Sequence, residues 1–154
     1  MTAGLVLTGR DELFARVGTE LGTSDWISIT QQDVNTFADL TGDHQWIHVD
    51  VERATASRFG GTIVHGYLTL SMVSQLQLSM FDIQGFGYGL NYGLDRVRFP
   101  SPLPTGSRVR LTVELTEVTD VPGDGVQILL TNTFHREGGD KPVCVAQSLI
   151  RYYP

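Results

Sequence analysis

Read as a pattern of apolar and polar positions, the chain changes period near its middle. In the first half, Asp11 to Gly18 has the look of a short helix stopped by glycine, and Asp25 to Ile29 (DWISI) alternates as a half-buried strand does. Thr30 followed by Asp33 forms a helix-start signal, after which Val34, Phe37, Ala38 and Thr41 recur on one helical face until Gly42 ends it. A loop from Asp43 to Val51 leads to a short helical piece, Glu52 to Ser57, and to a glycine-rich link at Phe59, Gly60 and Gly61. From Gly66 to Phe81 apolar residues surround the predicted helix on most sides. A helix of that kind is buried, so the rest of the chain must wrap it.

The second half supplies the wrapping. Four runs rich in β-branched and aromatic residues, Tyr88 to Phe99, Ser107 to Val118, Val126 to Arg136 and Val143 to Tyr152, are separated by turn signals at Pro100 to Gly106, Pro122 to Gly125 and Gly138 to Pro142. Consecutive strands on short turns predict an antiparallel sheet, so the expected fold class is α+β, a sheet curled round one central helix. With 154 residues and no linker, repeat or low-complexity segment, a single domain over 1–154 is expected, long enough to bury roughly 68 to 70% of its unfolded surface. An open sheet leaves an edge strand to cover, and pairing edges between two copies would cover it, which predicts a homodimer.

Charge and composition narrow the partners. A net charge of −6, spread from Asp11 to Asp140, argues against a general binder of nucleic acid or anionic membrane. The chain has no apolar run near the roughly 18 residues of a membrane span and no signal-peptide pattern at its start, so a cytoplasmic location is expected. The one cysteine, Cys144, excludes an intrachain disulfide and reads as a small buried strand residue.

Candidate chemistry is concentrated between Phe37 and Gly66, where FADLTGDHQWIHVD is followed by IVHG. Asp43 and His48 stand five apart beyond a helix end, so a turn can aim a carboxylate and an imidazole at one water; a capping Asp and a core His are the plainer alternative. Gly66 opens the apolar helix, where its N–H is one of the unpaired donors and can bind a developing oxyanion, or where it simply packs closely. His65 beside it is a substrate contact or a hydrogen-bonded structural histidine. His44 and His48, four apart next to Asp43, have metal-ligand spacing, but Gly42 and Trp46–Ile47 do not continue a helical pattern and no metal is expected.

The string G-D-H-Q-W-I-H-V-D followed by F-G-G-T-I-V-H-G, with Ala54 and Phe59 at matching positions and NYGLDRVRFPSPLPTG later, resembles the MaoC-like, R-specific enoyl-CoA hydratases over about residues 25 to 152. The resemblance implies a hot-dog fold with the active site at a dimer interface, hydration of trans-2-enoyl-CoA to (R)-3-hydroxyacyl-CoA or its reverse, and no cofactor. It carries Asp43 and His48 over as the acid-base pair and Gly66 as the oxyanion donor. Gln45 and Trp46 stand where the commonest motif, G-D-x-N-P-[LI]-H, has Asn and Pro, a form that resembles the nodulation protein N-like subgroup and bears on substrate choice. The acyl-CoA substrate then needs cations for its phosphates. Arg96 and Arg98, i and i+2 on one strand face, are the candidates, with Arg58 behind them. Gln45, Trp46 and His65 complete the substrate contacts. Two rival functions share the fold: an acyl-CoA thioesterase and a non-catalytic acyl-CoA-binding module.

Overall fold

The computed structural model describes residues 4–154 and has the expected α+β architecture, a curled antiparallel sheet packed on a central helical rod. A first strand, β1 (Leu5–Thr8), runs into α1 (Gly9–Ala15), which begins two residues before the expected helix and stops short of Gly18. Two short strands follow, β2 (Thr19–Thr23) and β3 (Ile27–Ser28). The predicted strand Asp25 to Ile29 thus shrinks to its middle, and β2 has no counterpart in the pattern analysis. Five residues interrupted by glycine carry little periodicity, and Gly22 is needed where a Cβ would come within 3.3 Å of the Met80 side chain.

α2 (Gln31–Thr41) forms where its signals place it. Thr30 Oγ1 accepts from the Asp33 N–H, the Asp33 carboxylate accepts from the Thr30 N–H at 2.8 Å, and Gly42 closes the helix in the left-handed region at φ 78°. Two short helices, α3 (Trp46–Val49) and α4 (Val51–Thr55), occupy the expected loop and helical piece.

The central rod is two helices, α5 (Gly66–Ser71) and α6 (Val73–Met80), joined at Met72. Met72 keeps right-handed helical angles, and its N–H is shared between the Leu68 and Thr69 carbonyls, so the junction is a tightened turn in one rod. Two expectations fail here. Phe81 leaves the helix to begin β4 (Phe81–Gln84), which pairs in parallel with β1. The rod is also not wrapped on all sides: Leu68, Leu76 and Met80 are buried, whereas Tyr67 and Leu78, eleven residues apart and so on one face, are exposed.

The four long strands, β5 (Tyr88–Arg98), β6 (Arg108–Val121), β7 (Gly125–Arg136) and β8 (Cys144–Tyr153), lie within a few residues of their predicted bounds. Their order differs from a simple meander. The sheet runs β2-β6-β7-β8-β5, with β3 also on β6, so β5 pairs with β8 and not with β6. The connection from β5 to β6 carries prolines at 100, 102 and 104 and is no hairpin. It crosses to the site end, where Val64 N–H donates to Leu103 O and Ile63 bridges Pro104.

The inward rows Val109, Leu111, Val113 and Leu115 on β6, and Val126, Ile128, Leu130 and Phe134 on β7, are fully buried and form the core with the rod. Cys144 is buried as expected, and burial pushes its thiol up to about 11. Among the described residues, no helix is long and apolar enough to cross a membrane.

Candidate active site

The end of α2, the α3 turn and the start of α5 converge. Gly42 reverses the chain and delivers Asp43, whose Oδ1 accepts from the Gln45 N–H at 3.4 Å and whose side chain is half exposed. His48 sits in the single turn of α3, buried. Its Nδ1 lies 2.6 Å from the Ile63 carbonyl, an oxygen that can only accept, so Nδ1 carries the proton and Nε2 presents its lone pair. Burial holds the His48 imidazole below its ordinary value; the Ile63 carbonyl opposes this, the neighbouring His65 adds to it, and Asp43 opposes it.

His65 is 3% exposed and stacks on His48, with ring centroids 3.9 Å apart and planes at 25°. Its Nε2 donates to the Asp43 backbone carbonyl at 3.0 Å, 4.0 Å from the Asp43 carboxylate, and its Nδ1 is buried without a partner. His65 therefore fastens the main chain at Asp43 and forms a wall against His48. Gly66 is the first residue of α5, and its N–H has no protein acceptor among the described residues. A Cβ there would lie 3.0 Å from the Phe99 ring, so a second reason for glycine is close packing.

Asp43, His48, His65 and Gly66 line one cavity of about 440 Å³, closed by Phe37, Thr41, Tyr67 and Phe99. The other expected residues lie elsewhere. Gln45 is exposed and caps α3 without touching the cavity, while Trp46 is half-buried under the Arg53 guanidinium, 4.4 Å from its ring centroid. Arg96 falls in a bulge between Leu94 and Val97 that breaks the strict alternation behind its pairing with Arg98, which is exposed and donates to the Val97 carbonyl; Arg58 lies over the Phe59 ring.

His44 turns away from His48 to an exposed ion pair with Asp39 at 2.9 Å, and that carboxylate holds its imidazole above the ordinary value. The metal-ligand spacing of His44 and His48 along the chain thus does not bring the two imidazoles together. Ligand atoms of Asp43, His48 and His65 do lie within 4.8 Å of one another, but one nitrogen of each ring is committed to a backbone carbonyl and the rings are stacked face to face, which suits a wall better than a coordination shell.

One positioning residue carried no sequence signal. Gln31, in the first turn of α2, donates to the His48 carbonyl at 2.8 Å and to Asn35, and accepts from the Thr62 hydroxyl at 2.5 Å. It ties the turn bearing His48 to the segment bearing Ile63, the acceptor that sets the His48 tautomer. A glutamine after an N-cap reads as ordinary helix, so only the tertiary contacts mark it.

Comparison with known proteins identifies the family. A family model described as a MaoC like domain matches residues 13–133. The chain is 52% identical over 141 residues to 3-hydroxyacyl-thioester dehydratase Z of Mycobacterium tuberculosis, covering 92% of this chain and 93% of that protein. It is 46% identical over 147 residues to nodulation protein N of Rhizobium leguminosarum bv. viciae, covering 91% and 89%. Among solved structures, a monoamine oxidase regulatory protein from Archaeoglobus superposes with a TM-score of 0.74 at 27% identity, covering 90% and 91% of the two chains. The (R)-hydratase from A. caviae superposes with a TM-score of 0.71 at 24% identity, covering 90% and 96%, and supports the hot-dog fold alone. The family match over most of the chain and the 52% identity to a dehydratase place this protein in the MaoC-like dehydratase family, as an enzyme of the hydratase and dehydratase type.

Proposed function

We propose that the protein is an (R)-specific enoyl-CoA hydratase, adding water reversibly to trans-2-enoyl thioesters, and that Asp43, His48 and Gly66 carry the reaction. The observation that supports this most is the shared cavity: two proton acceptors, the Asp43 carboxylate and the bare Nε2 of His48, face the same space as an unpaired backbone N–H. A water between the two acceptors donates one hydrogen to each. Its oxygen adds to the β-carbon as one of its protons passes to the pair, and charge moves onto the thioester oxygen, which the Gly66 N–H binds. The pair returns a proton to the α-carbon on the same face and ends as it began. Positioned acid-base groups supply about 10² to 10⁴ in rate and an oxyanion donor about 10² to 10³.

The protein acts as a homodimer in this reading. Every residue of β5 but one is exposed, Tyr88, Leu90, Tyr92 and Leu94 among them, although the strand ends a sheet and would otherwise leave an open apolar edge. The acyl-CoA phosphates are assigned to Arg96 and Arg98, and the setting is cytoplasmic fatty-acid metabolism.

The test is loss of the enoyl-thioester absorbance on mixing with trans-2-butenoyl-CoA and, in parallel, a medium-chain enoyl-CoA, with chiral analysis of the product. The expected result is the (R)-3-hydroxyacyl thioester, with turnover removed by Asp43→Asn or His48→Ala. Free thiol without loss of the double bond would make the protein a thioesterase, and binding without turnover a carrier module.

A further inference from the structure

A second cavity, of about 310 Å³, begins one turn further along the same rod. It lies between the helix and strands β5 and β8, reaching from Leu70 past Ser74 to Gln77. Gly66 and Leu70, then Tyr67, Ser71 and Ser74, follow at i+4 and i+3 spacing, so both cavities open on one helix face, and Gln77 lies about 16 Å along the axis from Gly66. Leu70, Val73 and Ile150 form apolar walls, but the floor is polar and deeply buried: Gln77 is 8% exposed and Asn132 is 0% exposed.

The orientation of that floor follows from its partners. Asn132 Nδ2 points at the Leu130 and Ala146 carbonyls, 3.2 and 3.1 Å away, which can only accept, so its nitrogen and oxygen cannot be exchanged. Asn132 Oδ1 must then accept, and Gln77 Nε2 donates to it at 2.7 Å. Gln77 Oε1 is left as an acceptor with no protein donor among the described residues, at the cavity it lines. Ser148 Oγ is the nearest of three acceptors that share the two Asn132 Nδ2 hydrogens, at 2.9 Å, and its own O–H is left as a donor without a protein acceptor among the described residues, on the same wall. One acceptor and one donor, both held by the same buried Asn132 and both on the wall of the cavity, match a hydroxyl group, which gives one hydrogen bond and takes one.

We propose that this cavity takes the remote part of the acyl group and selects chains that carry a hydroxyl there, donating to Gln77 Oε1 and accepting from Ser148. The proposal rests on the hydratase reading for its substrate class, and it is a statement about specificity that a plain alkyl pocket would not support. A fully apolar tail reaching the floor would strip water from Gln77 Oε1 and give nothing back.

Two measurements separate this inference from the reading beneath it. Calorimetry compares dodecanoyl-CoA with ω-hydroxydodecanoyl-CoA, and kcat/KM compares trans-2-dodecenoyl-CoA with its ω-hydroxy counterpart, each repeated at the octanoyl and decanoyl lengths. At the best-fitting length the hydroxylated chain is expected to bind and react about three- to tenfold better. Gln77→Leu should reverse the preference and Ser148→Ala should reduce it. Equal or better performance of the plain chains at every length in the wild-type protein overturns the proposal, whether or not any variant folds. So does a hydroxyl preference that survives Gln77→Leu undiminished. Tight binding with the hydroxyl preference but no hydration would overturn the hydratase reading and leave the pocket assignment standing.

Discussion

The two ends of the central rod each bury polar groups, and they do so on different terms. At the α5 end, His48 and His65 spend one nitrogen each on a backbone carbonyl and keep the other: His48 Nε2 bare toward the cavity, His65 Nδ1 buried without a partner. At the α6 end, both Asn132 hydrogens and its oxygen are satisfied, and Gln77 Oε1 and the Ser148 O–H are left over. Unspent hydrogen-bonding capacity costs stability, and a site keeps it where a ligand will use it. By that measure the first cluster is built for reaction, and the second holds strands β7 and β8 to the helix while keeping one acceptor and one donor for a ligand.

The comparison breaks most sharply at Asp43. Asp43→Asn removes an acceptor that is half exposed, so turnover should fall by about 10² to 10⁴ while the thermal midpoint scarcely moves; a large loss of stability would mean the carboxylate is structural. Gly66→Ala is next. The added methyl meets the Phe99 ring at 3.0 Å, and turnover measured beside a melting curve should show both a loss of activity and about 1–3 kcal/mol of overpacking.

At the other end, Asn132→Ala should cost about 2–5 kcal/mol by denaturant titration, because it empties a fully buried position and leaves Gln77 and two carbonyls short of partners. Gln31→Leu sharpens the contrast from the site side. Losing the tie between the His48 carbonyl and Thr62 should lower kcat about tenfold with KM little changed, and should move the acid limb of the pH profile, which a merely structural glutamine would not do.

The smallest effect is on stability against pH. His48 is held below its ordinary value of 6.5, so the folded state takes up its proton later than the unfolded chain does. The contribution is complete above about 6.5 and is lost as pH falls from there through the folded value, so the denaturation midpoint should drop over that window in the wild type and drop less in His48→Gln.

Much of the site was legible because its signals are local. The Thr30–Asp33 capping box and Gly42 fix where α2 starts and stops, and that stop alone puts Asp43 at the mouth of a turn. The motif then brings His48 and Gly66 with it. Gln45 and Trp46 belong to the same motif yet lie outside the site cavity: Gln45 precedes the helical turn and is exposed, and Trp46 packs under the Arg53 guanidinium while His48 takes the inward direction. Period-two counting puts Arg96 and Arg98 on one strand face, and the bulge between Leu94 and Val97 interrupts that alternation.

What the sequence by itself determined is what depends on neighbours a few positions away: the capped α2, the apolar rod, the alternating rows of β6 and β7, and the Asp43, His48 and Gly66 motif. The tertiary structure alone decided that β5 lies beside β8, that two imidazoles stack, that Gln31 reaches the His48 turn, and that Gln77 meets Asn132 across 55 positions of chain. Those contacts join residues with no shared period, and they exist only once closure of the sheet round the helix brings distant segments within hydrogen-bond reach.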